Sequence, residues 1–342
     1  MDIELVTGAD QLQQYVSSWE DLADRASQPR AGGAIVAAWA RYMMNPDSEL
    51  RVWIALDGSE VVGVLPFVAE KMARGRLRLL PPATDMLYGV VPIADPDRSS
   101  EVVAAVAEGF AAHIGQVDIA SIFWLPEGSP WSLAFGNRLH QPEWVTIDPT
   151  RYPSYYTNVA EGIDAWLAQR SGDFRREVRR RARRCKEQGF RIYTTVDPAE
   201  ISQRLPRLQT FYLRRKAERG GEGYRFDDDM CRAFENALEL SNPGCFGLSV
   251  LEREDLIIGM QLVLRAGARM TSWMTGYDPE PEWSRLGTGI ATLLEALDAG
   301  ARAGCEIVDL GVGDEPYKET FQDATCPLES VTWCRPRLAR LL

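Results

Sequence analysis

The stretch Ser284-Arg-Leu-Gly-Thr-Gly289 joins a β-rich run, Met270 to Tyr277, to an amphipathic helix that ends near Gly304. A strand, a Gly-x-Gly turn and a helix, in that order, present free backbone N–H groups to a phosphate at the start of the helix. Glycine suits such a turn because a Cβ atom would hold the phosphate away from the backbone. The stretch predicts an anion site, although a plain loop-to-helix turn has the same short pattern. It is not a dinucleotide fingerprint, which needs a third glycine, nor a P-loop, which needs Gly-Lys-Ser/Thr.

A second run, Cys305-Glu-Ile-Val-Asp-Leu-Gly-Val-Gly313, predicts a buried strand that ends in a glycine turn. Asp309 lies inside this apolar run, where an ionised carboxylate needs a partner. Tyr317 and Lys318 follow closely enough to reach the same strand end, where a neutral lysine or a tyrosine exchanges protons with an amine and a leaving thiolate. Asp309, Tyr317 and Lys318 are therefore candidate catalytic residues, and which of them moves protons is open. The alternatives are a structural carboxylate bound to the turn at 311–313 and an exposed lysine.

Composition places the chain among ordinary globular proteins. Its 342 residues are 45% hydrophobic and 25% charged, which excludes disorder and predicts about two domains. The net charge of −11 argues against a global DNA-binding or anionic-membrane protein. Without an apolar run long enough to span a membrane, and without a basic start followed by an apolar run, we expect a cytoplasmic protein.

Cysteine and histidine usage gives no sign of a metal site. The six cysteines include no CxxC pair, and the chain has only two histidines, His113 and His140. We therefore expect reduced thiols and no metal.

The chain repeats one order of elements. In the first half, helices near 11–27 and 34–44 precede strands at 51–56 and 61–70, which are joined by the hairpin signal Asp57-Gly58. In the second half, helices at 201–218 and 227–240 precede strands at 247–251 and 256–265. Each half continues with a helix (100–114, 288–303) and a strand (117–125, 306–310), and Val62-Gly63 matches Ile258-Gly259. The pattern predicts a tandem repeat; the alternative is two unrelated α+β segments.

A strongly basic helix is predicted between the halves. Residues 174–186 carry eight cations, with an apolar stripe at Phe174, Val178, Ala182 and Cys185. Asp173 and Gly189 suit the N-cap and C′ positions. The helix is either a solvated basic surface paired with acidic loops or an anion site for CoA phosphates, tRNA or an acidic substrate.

The order of elements resembles the GNAT N-acyltransferase fold, and more narrowly the CelD/FemAB-like branch, in which two GNAT-like units are fused. Its most specific part is the block Asp309-Leu-Gly-Val-Gly313 with Tyr317-Lys318; Tyr155-Tyr-Thr-Asn-Val159, Ile258-Gly-Met-Gln261 and the basic run also carry it. The resemblance implies an α/β fold of two units, each a mixed sheet flanked by helices. We expect a degenerate N-terminal unit at 1–150, a linker with the basic helix at 151–192 and a catalytic unit at 193–342.

The resemblance also implies a donor site for acetyl-CoA or a longer acyl-CoA. The turn that cradles the CoA pyrophosphate corresponds to Leu286, Gly287, Thr288 and Gly289, with Arg285 beside it. The backbone of Met274, Thr275 and Gly276 would pair with the pantetheine arm. The Arg or Gln expected three residues before the first glycine is Ser284.

The acceptor is expected under a mobile loop at 214–226, with contacts from Glu222, Tyr224 and Tyr277. The predicted reaction is transfer of an acyl group to an amine of a small molecule, sugar or peptide. Two alternatives are a FemAB-like transferase that uses aminoacyl-tRNA and a binding module that has lost its site. The catalytic assignment predicts that Lys318→Ala lowers turnover far more than stability. The sequence leaves the oligomeric state open.

Overall fold

A computed structural model describes residues 1–138, 144–218, 220, 225–313 and 315–339 of the chain. These residues form two units: 1–154 with 240–242 and 325–342, and 155–239 with 243–324. The chain passes from the first unit to the second between Ser154 and Tyr155, so the basic helix lies in the second unit.

The first unit is a mixed sheet with helices packed against it. Its strand order is β1-β2-β3-β4-β6-β13, where β4 and β6 run parallel and the short β5 pairs with β3. The chain's last strand, β13, is antiparallel to β6. The elements are β1 (Asp2–Val6), α1 (Ala9–Gln13), α2 (Val16–Arg25), α3 (Gly33–Tyr42), β2 (Glu49–Asp57), β3 (Glu60–Lys71), β4 (Leu77–Leu80), α4 (Thr84–Leu87), β5 (Ile93–Ala94), α5 (Ser99–His113), β6 (Ile119–Pro126), α6 (Pro130–Arg138), β7 (Val145–Asn158) and β13 (Ala324–Cys334).

The second unit repeats this plan with strand order β8-β9-β10-β11-β12. Its strands are antiparallel except for β11 and β12, which run parallel. The elements are α7 (Ile163–Ala168), α8 (Gly172–Glu187), β8 (Arg191–Thr195), α9 (Pro198–Glu218), α10 (Asp228–Leu240), β9 (Phe246–Arg253), β10 (Leu256–Ala266), β11 (Arg269–Tyr277), α11 (Pro281–Ser284), α12 (Thr288–Arg302), β12 (Ile307–Val312) and α13 (Pro316–Phe321).

The mixed α/β architecture and both hairpins confirm the predicted fold class. The matched glycines have the same physical role in each unit. A Cβ on Gly63 would lie 2.3 Å from a methyl of Val102 in α5, and one on Gly259 would lie 3.3 Å from Thr288 in α12. Each glycine therefore lets the following helix pack closely on the second strand of its hairpin. The helix predicted over 11–27 is divided into α1 and α2.

Each unit has its own apolar core. In the first, Trp53 lies at the centre of an aromatic group, 5.0 Å from Phe110 and 6.0 Å from Phe67 between ring centroids. In the second, one cluster packs α12 against β12 and α13. A smaller cluster joins α8 to the segment before α12; its buried members are Cys185, Phe190, Leu251, Ile258, Trp283 and Leu286.

The basic helix forms as predicted, with two corrections. Its N-cap is Ser171, whose hydroxyl accepts a hydrogen bond from Phe174 N, and not Asp173, which is exposed and paired with Arg176. Gly189 follows the helix with φ +76°, as a C′ glycine does. Ala182 is exposed while Arg181 is partly buried. The inward stripe therefore runs through Arg181, because that side chain packs on a neighbouring glycine turn.

Among the described residues, no helix combines the length and apolarity needed to cross a membrane. In the same part of the chain, no cluster of three or more His, Cys, Asp or Glu side chains is arranged to hold a metal ion. The six cysteines all lie in described segments and form no disulfide.

Candidate active site

A fork between two parallel strands defines the site. The β11–β12 ladder has three pairs and ends at Thr271 opposite Asp309, although β11 continues to Tyr277. A bulge in the β10–β11 ladder sets Leu262 opposite Met274 and Val263 opposite Ser272, so Trp273 is the extra residue. A bulge bends its strand and increases the local twist, which accounts for the divergence of β11 from β12. Within the described residues, the ladder thus leaves one edge of β11 unpaired with β12 beyond Thr271.

Met274 and Thr275, two of the three residues predicted along the pantetheine path, are hydrogen-bonded to Gln261. The amide of the buried Gln261 donates to Met274 O at 3.2 Å and accepts from the Thr275 hydroxyl. A Cβ on Gly276 would lie 2.9 Å from atoms of both Leu208 and Phe211. Gly276 therefore lets α9 pack directly on β11, a structural role that the sequence analysis missed.

The turn that the sequence predicts as an anion site lies directly before α12. Gly287 is the N-cap residue, with φ +63° and ψ 50°, which favours glycine. Leu286 is fully buried in the cluster with Trp283, so it anchors the turn from beneath. A Cβ on Gly289 would lie 3.6 Å from the ring of Tyr277. The start of α12 thus lies beside the last residue of β11, next to the fork.

Two arginines of α8 contact this turn. The guanidinium of Arg181 lies against Gly287, where a Cβ would come within 2.3 Å of Nη1. Arg184 Nη1 donates to the carbonyl of Arg285 at 3.4 Å. The basic helix and the glycine turn are separate predictions from the sequence, and the structure brings them together.

A third cation lies near the other side of the turn. Arg215 of α9 lies over the ring of Tyr277, with its guanidinium carbon 5.2 Å from the ring centroid. Its Nε is buried and has no hydrogen-bond partner among the described residues. Tyr277, predicted as an acceptor contact, is therefore held between a cation and the start of α12. Glu222 and Tyr224, the other predicted acceptor contacts, lie outside the described residues.

Glu177 holds the side chain of Arg181, the cation that lies against Gly287. Its carboxylate pairs with Arg181 Nε at 2.6 Å and also with Arg180. Hydrogen bonds from Arg180 and Arg181 lower the pKa of Glu177 to about 2. Glu177 therefore stays ionised at neutral pH and orients the Arg181 side chain.

The three predicted catalytic residues surround the turn after β12. Asp309 Oδ1 accepts a hydrogen bond from Gly311 N at 2.7 Å, as the structural alternative requires. Lys318 is only 3% exposed, and its Nζ donates to Val312 O at 2.6 Å and pairs with Glu315 at 2.8 Å. The exposed-lysine alternative is therefore wrong. Tyr317 is partly buried, with its ring centroid 6.0 Å from that of Phe321.

The corresponding helix of the first unit begins in a different environment. Before α5, Asp95 Oδ1 accepts from Asp97 N at 3.0 Å, and Glu101 lies in the first turn of the helix. Arg98 is paired with Asp57 at 2.7 Å. Glu101 thus supplies an acidic group at the positive end of α5, whereas α12 has no acidic residue in its first turn.

Comparison with known proteins agrees with this geometry. Residues 172–319 match the family described as "Acetyltransferase (GNAT) domain". A search of curated proteins gave no match. The matched segment includes the basic helix, the fork and the glycine turn.

Solved structures extend the likeness to the whole chain. FemX aligns with a TM-score of 0.65 and 11% identity over 100% of both chains. The C-terminal domain of a putative lysylphosphatidylglycerol synthetase from Agrobacterium fabrum has a TM-score of 0.57 and 11% identity, covering 94% of this chain and 92% of that one. L-PGS from Bacillus licheniformis has a TM-score of 0.53 and 12% identity, over 97% and 93%. The predicted resemblance to a GNAT-superfamily protein of FemAB-like fold is therefore confirmed.

Proposed function

We propose that this protein transfers an acyl group from acyl-CoA to an amine of a small molecule, sugar or peptide. The observation that carries the proposal is the start of α12: among the described residues no side chain caps this helix, arginines lie next to it, and β11 beside it has left its ladder with β12. The helix start and the arginines suit the phosphates of CoA. The edge of β11 suits the amide-rich pantetheine arm.

The proposed reaction is aminolysis of a thioester. The neutral amine attacks the carbonyl carbon, a C–N bond forms and the C–S bond breaks. The proton that the amine loses is finally taken up by the departing thiolate. Among the three candidate residues, Asp309 is the one at the end of the β11–β12 ladder, and we assign it to the reaction centre. Lys318 holds the turn beside it, and Tyr317 remains a candidate for proton transfer.

Aminoacyl-tRNA is the second candidate donor. The observation that favours it is the solvent-facing side of α8, where five cations are exposed: Arg176, Arg179, Arg180, Arg183 and Lys186. Several of them are paired with Asp173, Glu177 and Glu187 on the same helix. These pairs reduce the free charge available to RNA, so we place acyl-CoA first.

Thermal unfolding with CoA, acetyl-CoA and a long-chain acyl-CoA tests the proposal. A ligand that binds the folded state at about 100 times its Kd adds about 2.7 kcal/mol of stability and raises the melting temperature. A shift with the thioesters supports the acyl-CoA donor, and their rank order reports the size of the acyl pocket. If none of the three raises the melting temperature, the proposal is wrong, and tRNA becomes the next ligand to test.

A further inference from the structure

The position that the resemblance fills with Arg or Gln is Ser284 in this chain. Without that side chain, the glycine turn lacks the polar group that would close over a phosphate. The structure supplies cations from another element, because Arg181 and Arg184 of α8 both contact residues 285–287.

The electrostatics of this contact point to an anion. The start of an α-helix carries a partial positive charge, so a guanidinium there is repelled unless a negative group lies between them. Arg181 lies against Gly287, and no acidic residue in the first turn of α12 offsets its charge. Glu177 offsets part of it, but that carboxylate is shared with Arg180. A bound phosphate would be attracted by both the arginines and the helix start.

The two arginines are also held in place. Cys185 of α8 and Phe190 pack in the same buried cluster as Trp283 and Leu286 of the turn. The ring centroids of Phe190 and Trp283 are 5.5 Å apart. Because one apolar cluster fixes both α8 and the turn, the guanidiniums are positioned before any ligand arrives, which lowers the entropy cost of binding.

We propose that Arg181 and Arg184 of α8 bind the diphosphate of the acyl-CoA donor and replace the motif side chain missing at Ser284. This inference rests on the proposed function. The planar guanidinium matches phosphate oxygens with two parallel hydrogen bonds. Arg181 lies against Gly287 and Arg184 donates to the carbonyl of Arg285, so both guanidiniums are next to the start of α12.

The test compares Arg181→Gln with Arg179→Gln. Both changes remove one cation from α8, but Arg179 is exposed and its position is on the solvent side. Dissociation constants are measured for CoA, for ADP as a diphosphate without the pantetheine arm, and for pantetheine, which has no phosphate. We expect Arg181→Gln to weaken CoA and ADP binding about tenfold or more and to leave pantetheine binding unchanged. Arg179→Gln should bind all three ligands like the wild type.

The melting temperature of the ligand-free variant provides a second readout. Arg181→Gln removes a cation from the positive end of α12 but also an ion pair with Glu177 on a partly exposed helix face, so the melting temperature of the free protein should stay close to that of the wild type. If Arg181→Gln loses affinity for both CoA and pantetheine, or melts at a clearly lower temperature than the wild type, Arg181 has a structural role and the inference is wrong.

The remaining outcomes separate this inference from the proposed function. If wild-type protein binds CoA and Arg181→Gln binds it equally well, the diphosphate contact is wrong while the acyl-CoA proposal stands. If wild-type protein binds neither CoA nor ADP, the proposed function fails and this inference fails with it. Binding of tRNA by a wild-type protein that does not bind CoA would likewise show that both proposals are wrong.

Discussion

Lys318 shows how one buried side chain can hold a turn, here the turn that follows β12. Its Nζ donates to Val312 O, and its ion pair with Glu315 lies next to Gly313, whose φ is +126°. A Cβ on Gly313 would lie 2.5 Å from Glu315 Oε2 and 3.1 Å from Lys318 Nζ. Glycine at this position therefore allows both the unusual backbone and the buried ion pair. Asp309 braces the same turn through Gly311 N.

We predict that Lys318→Met costs about 2 kcal/mol of unfolding free energy, because it removes the hydrogen bond from a charged donor to Val312 O and the ion pair with Glu315. This revises the expectation from sequence that a change at Lys318 affects turnover far more than stability. Urea unfolding monitored by circular dichroism measures the loss. Lys186→Met is the control, since it removes the same charge from an exposed position on α8. Unchanged stability in Lys318→Met would show that the side chain does not brace the turn.

At the scale of elements, α3 is capped by a buried carboxylate from α2. Glu20 is 4% exposed, and its Oε1 accepts a hydrogen bond from Ala34 N at 2.9 Å. A Cβ on Gly32 would lie 2.8 Å from the same oxygen, so this glycine makes room for the cap. Burial raises the pKa of Glu20 from 4.5 to about 7, against the opposing effect of the α3 backbone N–H groups, and Asp21 and Asp24 raise it further.

This shift predicts a pH dependence of stability. Between pH 4.5 and 7 the folded protein holds a proton on Glu20 that the unfolded chain has released, so the unfolding free energy falls as pH rises. The contribution of Glu20 to the unfolding free energy is fully present below pH 4.5 and is lost above about pH 7. It amounts to about 3 kcal/mol. Glu20→Gln has no such proton, so wild-type stability relative to the variant should fall by most of this amount, about 2.5 kcal/mol, from pH 5 to pH 8.

Denaturant unfolding at pH 5, 6, 7 and 8 measures this difference. Glu108→Gln is the control, because Glu108 is exposed in the same unit and its removal should leave the wild-type pH profile in place. If Glu20→Gln and wild type show parallel profiles, Glu20 does not titrate in this range.

Sequence patterns predict features within one hairpin or helix, but they do not predict which side chains of different elements come into contact. The hairpins and their matched glycines, Gly63 and Gly259, could be predicted because they depend on turn chemistry and period-two patterning. The contact of Arg181 with Gly287 could not, because helical periodicity alone placed Ala182 on the inward stripe. Lys318 lies in a polar local sequence, so only the tertiary fold shows that it is buried. The position of Asp309 at the end of the β11–β12 ladder likewise depends on strand register.

For the whole molecule, net charge and local charge point in opposite directions. The chain carries −11 overall, yet arginines of α8 and α9 lie around the start of α12. Charges more than about 8 Å apart are largely screened at physiological salt, so the local arginines decide whether an anion binds. Overall acidity therefore does not argue against a phosphate-bearing donor at this site.

The contrast between the two units predicts one donor site per chain. Glu101 lies in the first turn of α5, whereas the first turn of α12 carries no acidic residue and the guanidinium of Arg181 lies against Gly287. Titration calorimetry with CoA should give a stoichiometry of about one. Hydrogen exchange should slow at residues 286–291, where bound phosphate accepts from backbone N–H groups, and stay unchanged at the matching residues of α5. Asp95→Asn serves as a control that should alter neither result. A stoichiometry of two, or protection at the start of α5, would show that the first unit also binds a donor and would remove the basis for treating it as degenerate.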